Sequence, residues 1–137
     1  MKPPNDRAWV AEAVAALQRE AARSADTHLL HVTFAGFPGI DFYFKDEAAH
    51  PTGSLKHRLA RSLFLYALCN GRLKPGQAVV DASSGSTAIS EAWFARLLGL
   101  PFTAVMPEGT SPGKIAAIRE LGAHCDLTAP CLCTQAR

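Results

Sequence analysis

The second half of the chain alternates between short apolar runs and helical patterns, and this alternation constrains the fold more than any other feature. Residues 78–82 form an apolar run of the buried-strand type, residues 85–98 have helical spacing, and residues 101–106 form a second strand pattern. A helix that begins at Ser111 and a last strand over 123–127 follow. This order predicts parallel strands joined by right-handed helical crossovers, and therefore an α/β protein.

The first half of the chain predicts two helices and two strands. Apolar residues at helical spacing indicate a first helix, capped by Asn5 or Asp6, and a second helix over 54–69. Aromatic and β-branched residues between turn-forming residues predict strands over 29–34 and 40–45.

Length and composition indicate one domain with a core of its own. The chain has 137 residues, of which 48% are hydrophobic and 19% charged. We expect an α/β domain over residues 1–126, with a three-layer parallel sheet that carries helices on both faces. No clear period continues after Asp126, so residues 127–137 are expected to be an irregular tail, either truncated or frame-shifted.

The same features exclude several function classes. A net charge of +2 without a basic run argues against nucleic acid as a partner. No apolar run approaches the roughly 20 residues of a membrane span, and the N-terminus lacks a signal-peptide core, so a cytoplasmic protein is expected. Cys131 and Cys133 have no second ligand pair at zinc-site spacing, so no metal is expected.

Lys56 is the candidate nucleophile of the chain. It follows a Pro-Thr-Gly-Ser turn and lies in the first turn of the predicted helix, where the helix dipole disfavours the charged form of its amine. A neutral amine can form a Schiff base with a carbonyl. A second small-residue turn, over 83–87, also opens a helix, and its hydroxyls and unpaired amides suit an anion.

Several segments, taken in order, resemble the cysteine synthase and cystathionine β-synthase family. That family belongs to the tryptophan-synthase-β-like group of pyridoxal phosphate enzymes. Residues 51–58, Pro-Thr-Gly-Ser-Leu-Lys-His-Arg, are similar to its cofactor attachment segment. Residues 83–88, Ser-Ser-Gly-Ser-Thr-Ala, are similar to its Thr-Ser-Gly-Asn-Thr-Gly loop. The resemblance extends over residues 29–125 and implies the N-terminal part of a tryptophan-synthase-β-like fold.

The resemblance also implies a cofactor and the residues that hold it. The cofactor is pyridoxal 5'-phosphate, and Lys56 is its Schiff-base lysine and the base that moves the substrate Cα proton. Ser86 stands where the family has Asn and contacts the cofactor ring hydroxyl. The substrate α-carboxylate is bound by the rest of the second turn, namely Ser83, Ser84, Gly85 and Thr87.

The activity implied is β-elimination or β-replacement on a small amino acid, of the cysteine synthase or L-cysteine desulfhydrase type. Serine at position 86 reaches less far than asparagine, which leaves room for a desulfhydrase or another lyase. A serine or threonine dehydratase is an alternative, although such enzymes usually carry Asn-His at positions 86 and 87.

The second alternative is a non-catalytic remnant or interaction domain without the phosphate-binding half. The family's glycine-rich phosphate cradle lies downstream, and no glycine follows Gly122 here. We therefore expect a truncated form with weak cofactor binding and little turnover, and a homodimer for the full-length family.

Three neighbours of these segments have structural interpretations. His57 is expected to be exposed or to cap the helix, and Arg58 to form a structural ion pair. Asp81 ends a strand beneath the second turn and either has a structural role or orients Ser83.

Overall fold

A computed structural model describes residues 6–24 and 27–129 of the chain, and it contains each predicted helix and strand within those limits. The elements, in chain order, are α1 (Asp6–Ser24), β1 (Leu29–Val32), β2 (Phe42–Lys45), a short 3-10 helix (Glu47–Ala49), α2 (Lys56–Cys69), β3 (Val79–Ala82), α3 (Ser86–Leu97), β4 (Phe102–Pro107), α4 (Pro112–Glu120) and β5 (His124–Thr128). Their ends lie within two residues of the predicted ends at most positions.

The strands form two separate sheets. The second half of the chain makes a parallel sheet in the order β3-β4-β5, whereas β1 and β2 form an antiparallel pair of their own. The predicted α/β class and parallel sheet are therefore confirmed.

The helices of the second half of the chain are placed by the strand order. Consecutive strands lie side by side, and α3 and α4 contact each other, so the two helices lie on the same face. Along β4, Phe102, Ala104 and Met106 are buried, while Thr103 and Val105 between them are only half-buried. Within residues 27–129, α3 and α4 thus cover one face of the parallel sheet.

Helix α3 is the centre of the core. It contacts β3 and β4 on one side and α2 on the other, which is why apolar residues occur around most of its surface. Phe94 of α3 is fully buried and packs against Phe64 of α2, with ring centroids 6.2 Å apart. Burial of a phenylalanine contributes about 1.5–3 kcal/mol relative to exposure. This packing fixes α2 against α3, and these two helices carry the two candidate turns.

Helix α2 is covered on one side only in the described part of the chain. Its inner side packs against α1 and α3, and Cys69 at its end is exposed rather than part of the core. Its outer side exposes a row of apolar residues at helical spacing, namely Leu55, Leu59, Leu63 and Tyr66.

The last strand extends further than expected. Leu127 pairs with Met106 and Thr128 with Pro107, so these two residues belong to the parallel sheet and not to an irregular tail. The rest of the predicted tail, from residue 130, lies outside the described residues, as does Asn5.

Candidate functional site

Lys56 is the first residue of α2, and the turn before it is held by backbone hydrogen bonds. The Gly53 amide donates to the His50 carbonyl at 2.7 Å, and the φ of Gly53 is +66°, a region that favours glycine. The Lys56 amide donates to Ser54 Oγ at 3.1 Å, which satisfies one of the unpaired donors at the helix start. The Lys56 side chain is half-buried. The predicted helix start and lysine position are therefore present as expected.

Thr52 ties the lysine turn to helix α3. Its Oγ1 lies 2.9 Å from Ser90 Oγ on α3 and 3.1 Å from His57 Nδ1 on α2. Ser90 is fully buried, so this contact lies inside the protein. Because α3 begins at Ser86, the lysine turn and the second turn are both attached to the same helix.

The second turn, residues 83–87, follows the carboxyl end of β3 and leads into α3. Ligands in parallel sheets are commonly bound at this position. Gly85 is the N-cap residue of α3, and no side chain caps the helix. Within the described residues, the hydroxyls of the turn form no hydrogen bond, so they and the helix amides remain available to an anion. Ser86 is exposed, and the other members of the turn are half-buried.

His57 is fully buried, so the prediction that it is exposed or capping was wrong. Its Nε2 lies 2.8 Å from Glu20 Oε1, and its ring lies 4.7 Å from Phe94 and 5.1 Å from His50, measured between centroids. Burial lowers the pKa of His57, and the hydrogen bond to Glu20 opposes this effect. Glu20 and His57 lie 37 residues apart on different helices, and no local spacing signals such a pair.

Glu20 is a buried carboxylate with two cationic or polar partners from α2. It is 6% exposed, and its second oxygen accepts a hydrogen bond from Arg61 Nη1 at 3.3 Å. Buried carboxylates require such partners because removal from water disfavours their charge. Sequence reasoning did not identify Glu20 as part of the site.

Arg58 forms the structural ion pair that was predicted for it. Its Nε donates to Glu47 Oε2 at 2.9 Å, and Glu47 also accepts from Thr27 Oγ1 at 3.1 Å. The Arg58 hydrogen bond is the main cause that lowers the pKa of Glu47 to about 2. His50 contacts the same carboxylate at 2.9 Å. This cluster fixes the segment that precedes the lysine turn.

Asp81 interacts with Glu91 of α3 beneath the second turn. Glu91 is 5% exposed, and burial is the main cause that raises its pKa to about 8, with the neighbouring charge of Asp81 as a further cause. Glu91 is therefore mostly protonated at neutral pH, and its Oε2 is buried without a hydrogen-bond partner among the described residues. The structural interpretation of Asp81 applies, since within the described residues it has no hydrogen bond to Ser83. Glu91 also lines an apolar cavity of about 150 Å³ between α2 and β3.

The residues brought together fit part of a pyridoxal phosphate site. Lys56 offers a primary amine for the aldehyde of the cofactor, and the turn over 83–87 offers amide and hydroxyl donors for a carboxylate. The sequence has no glycine after Gly122 that could build a glycine-rich phosphate loop.

Residues 6–24 and 27–129 contain no group of three or more His, Cys, Asp or Glu side chains arranged to hold a metal ion. None of the helices in those ranges combines the length and the apolar character required to cross a membrane.

Comparison with known proteins identifies similar sequences and structures. The chain is 56% identical over 123 residues to an L-cysteine desulfhydrase of Mycobacterium tuberculosis, covering 87% of this chain and 33% of that protein. It is 40% identical over 91 residues to a cysteine synthase of Aquifex aeolicus, covering 66% of this chain and 28% of that protein. A hydrogen sulfide-producing enzyme of Fusobacterium nucleatum superposes with a TM-score of 0.73 at 28% identity, over 76% of this chain and 34% of that chain.

The chain therefore spans about a third of the length of the relatives it matches. The family model described as pyridoxal-phosphate dependent enzyme matches residues 23–130, which is most of the chain. The matched residues include the lysine turn, the turn over 83–87 and the parallel sheet. The chain belongs to the family of pyridoxal-phosphate dependent enzymes.

Proposed function

We propose that this chain supplies the reactive lysine and the substrate-carboxylate turn of an enzyme that catalyses β-elimination or β-replacement on a small amino acid. The observation that carries the proposal is the 2.9 Å contact between Thr52 Oγ1 and Ser90 Oγ. It attaches the turn before Lys56 to the helix whose N-terminus is the second turn. An amine and an anion site on one rigid support are what such chemistry requires.

Each residue has a proposed role that its position supports. The cofactor supplies the electron sink for carbanion chemistry when it is bound. Lys56 holds the cofactor aldehyde and moves the proton at the substrate Cα. Ser83, Ser84, Gly85 and Thr87 bind the substrate carboxylate, and Ser86 contacts the cofactor ring hydroxyl.

Among the possible activities we favour the L-cysteine desulfhydrase type, in which cysteine and water yield pyruvate, ammonia and hydrogen sulfide. The 56% identity to a protein named L-cysteine desulfhydrase supports this choice. Cysteine synthesis is the second candidate, supported by the cysteine synthase relative. The homodimer and the cytoplasmic location remain part of the proposal and rest on the family resemblance.

Reductive trapping tests the role of Lys56 without requiring tight cofactor binding. The protein is incubated with pyridoxal phosphate and reduced with borohydride, and the labelled lysine is located by mass spectrometry. We expect labelling at Lys56 to exceed that at Lys74, a turn lysine outside the site. Lys56→Arg removes the preferred label, whereas the matched control Lys74→Arg keeps it. Equal labelling of the two lysines in the unmodified protein would contradict the assignment.

Product assays on the cofactor-loaded protein then separate the candidate reactions. Sulfide and pyruvate from cysteine alone indicate a desulfhydrase. Cysteine from O-acetylserine and sulfide indicates a synthase, and pyruvate or a ketoacid from serine or threonine indicates a dehydratase. Labelling at Lys56 without any of these products favours a non-catalytic cofactor-binding domain.

A further inference from the structure

Consecutive hydrogen bonds join four buried or half-buried side chains close to Lys56, namely Glu20, His57, Thr52 and Ser90. Glu20 Oε1 lies 2.8 Å from His57 Nε2, His57 Nδ1 lies 3.1 Å from Thr52 Oγ1, and Thr52 Oγ1 lies 2.9 Å from Ser90 Oγ. The series begins on α1, passes through α2 and the lysine turn, and ends on α3. Glu20, His57 and Ser90 are at most 6% exposed.

The chemistry of these side chains determines which atom donates and which accepts in each hydrogen bond of the series. The Glu20 carboxylate can only accept, so His57 Nε2 carries the hydrogen. The burial of His57 lowers its pKa, so the ring is neutral and Nδ1 has a lone pair. Thr52 must then donate its hydroxyl hydrogen to Nδ1, and its oxygen accepts the hydrogen of Ser90. Each hydroxyl therefore has one orientation.

The two sides of Lys56 are attached to different helices. Thr52, four residues before it, is bound to Ser90 of α3, and His57, the next residue, is bound to Glu20 of α1. Thr52 and His57 are also bound to each other, which closes a small loop around the lysine backbone. Movement of the Lys56 backbone therefore requires the loss of at least one buried hydrogen bond.

We propose that Thr52 and His57 are positioning residues that hold Lys56 at a constant place relative to the turn over 83–87. The importance of that place rests on the proposed function, in which Lys56 carries the cofactor. The attachment itself depends only on the contacts of the described residues. The series thus predicts two separable effects, one on the mobility of the turn and one on the reactivity of Lys56.

Protonation of His57 would disturb this arrangement. A hydrogen on Nδ1 replaces the acceptor that Thr52 uses, so the Thr52 hydroxyl must turn toward Ser90. The charged or titratable groups that face His57 are Glu20, His50 and Arg61. Glu20 favours the protonated ring, whereas burial and the other two groups oppose it.

The test uses Thr52→Val, which keeps the shape but removes the hydroxyl, and Thr52→Ser, which restores it. Thr103→Val, on the uncovered face of β4, makes the same chemical change away from the series. Hydrogen exchange of the amides of residues 53–57 measures the attachment without any cofactor. We expect Thr52→Val to accelerate this exchange about 5- to 10-fold, as the loss of a hydrogen bond of about 1 kcal/mol implies. Thr52→Ser and Thr103→Val should stay within about twofold of the parent.

Reductive trapping with pyridoxal phosphate measures the second effect. The ratio of label at Lys56 to label at Lys74 should fall about 2- to 10-fold in Thr52→Val and recover in Thr52→Ser. An unchanged ratio with faster exchange would overturn the positioning role and leave a purely structural one. Unchanged exchange in Thr52→Val would overturn the attachment itself. Failure of the parent protein to label Lys56 would instead contradict the proposed function, while the exchange result still decides the attachment.

Nuclear magnetic resonance of the imidazole nitrogens tests the direction of the series. We expect His57 to carry its hydrogen on Nε2 at neutral pH, with Nδ1 unprotonated. A hydrogen on Nδ1 would reverse the donor and acceptor roles of Thr52 and overturn the assigned orientation.

Discussion

The lysine turn and the turn over 83–87 are both short, rich in small residues and followed by a helix, yet they are held in different ways. The lysine turn is attached through the side chains of Thr52 and His57 to two other helices. In the described residues, no side chain caps the helix that follows the turn over 83–87, and the hydroxyls of this turn form no hydrogen bond. The difference suggests that the chain fixes the amine in advance and leaves the donors of the other turn to a ligand.

Because the two turns are held in different ways, substitutions in one should mainly affect stability and substitutions in the other should mainly affect ligand binding. A buried hydrogen-bonding group that loses its partner costs about 1–3 kcal/mol. A hydroxyl that has no partner in the folded protein contributes less than about 0.5 kcal/mol to stability. Substitutions near Lys56 should therefore unfold the protein more readily, whereas substitutions in the other turn should affect ligands first.

The largest loss of stability is expected when Glu20 is replaced, because the buried hydrogen bond of His57 depends on this residue. Glu20→Ala leaves His57 and Arg61 without their buried partner, and we expect a loss of about 3–5 kcal/mol in the free energy of unfolding. Glu12→Ala on the same helix removes an exposed ion pair with Arg19 and should cost less than about 1 kcal/mol. Denaturation with urea measures both values. Equal losses in the two variants would show that the buried series does not support the lysine turn.

The second effect concerns the residues beneath the turn over 83–87, where the buried carboxyl of Glu91 lies near Asp81. The folded-state pKa of Glu91 is raised from 4.5 to about 8, so the folded protein binds more protons than the unfolded chain between these values. Its contribution to stability is therefore fully present below pH 4.5 and is lost as the pH rises from 4.5 through 8, by an amount on the order of 5 kcal/mol.

Glu91→Gln keeps a polar group of similar shape but cannot ionise. The stability of this variant should therefore not decline through Glu91 as the pH rises. Denaturation curves between pH 5 and 8 compare the slopes of the two proteins. Parallel slopes would mean that Glu91 is ionised throughout and that the turn has a different support.

The smallest effect on stability is expected in the turn itself. Ser84→Ala should change the free energy of unfolding by less than about 0.5 kcal/mol, because the hydroxyl has no partner among the residues that the structure describes. If the carboxylate role is right, the same variant should raise the KM for cysteine in the loaded protein with little change in melting temperature. A large loss of stability would instead place Ser84 in the structural network and remove the contrast between the two turns.

Local sequence patterns predict the positions of the two turns, but they do not predict the contacts between distant side chains. The helix start at Lys56 and the second turn at the end of β3 follow from turn residues and periodicity, whereas the ion pair of Arg58 was expected without its partner Glu47. The burial of His57 was missed because its partner Glu20 lies 37 residues away on another helix. The partner of Asp81 was missed for the same reason, since Glu91 approaches it only when α3 packs on β3.

The number and order of the helices and strands were determined by the sequence itself, because hydrophobic period, caps and glycine turns act over a few residues. The family resemblance likewise depends on segments that can be read along the chain. The uncovered face of the sheet, the neutral buried His57 and the raised pKa of Glu91 were decided only by the tertiary structure. Those properties depend on which distant side chains exclude water from a group and which supply its partner, and packing alone brings them together.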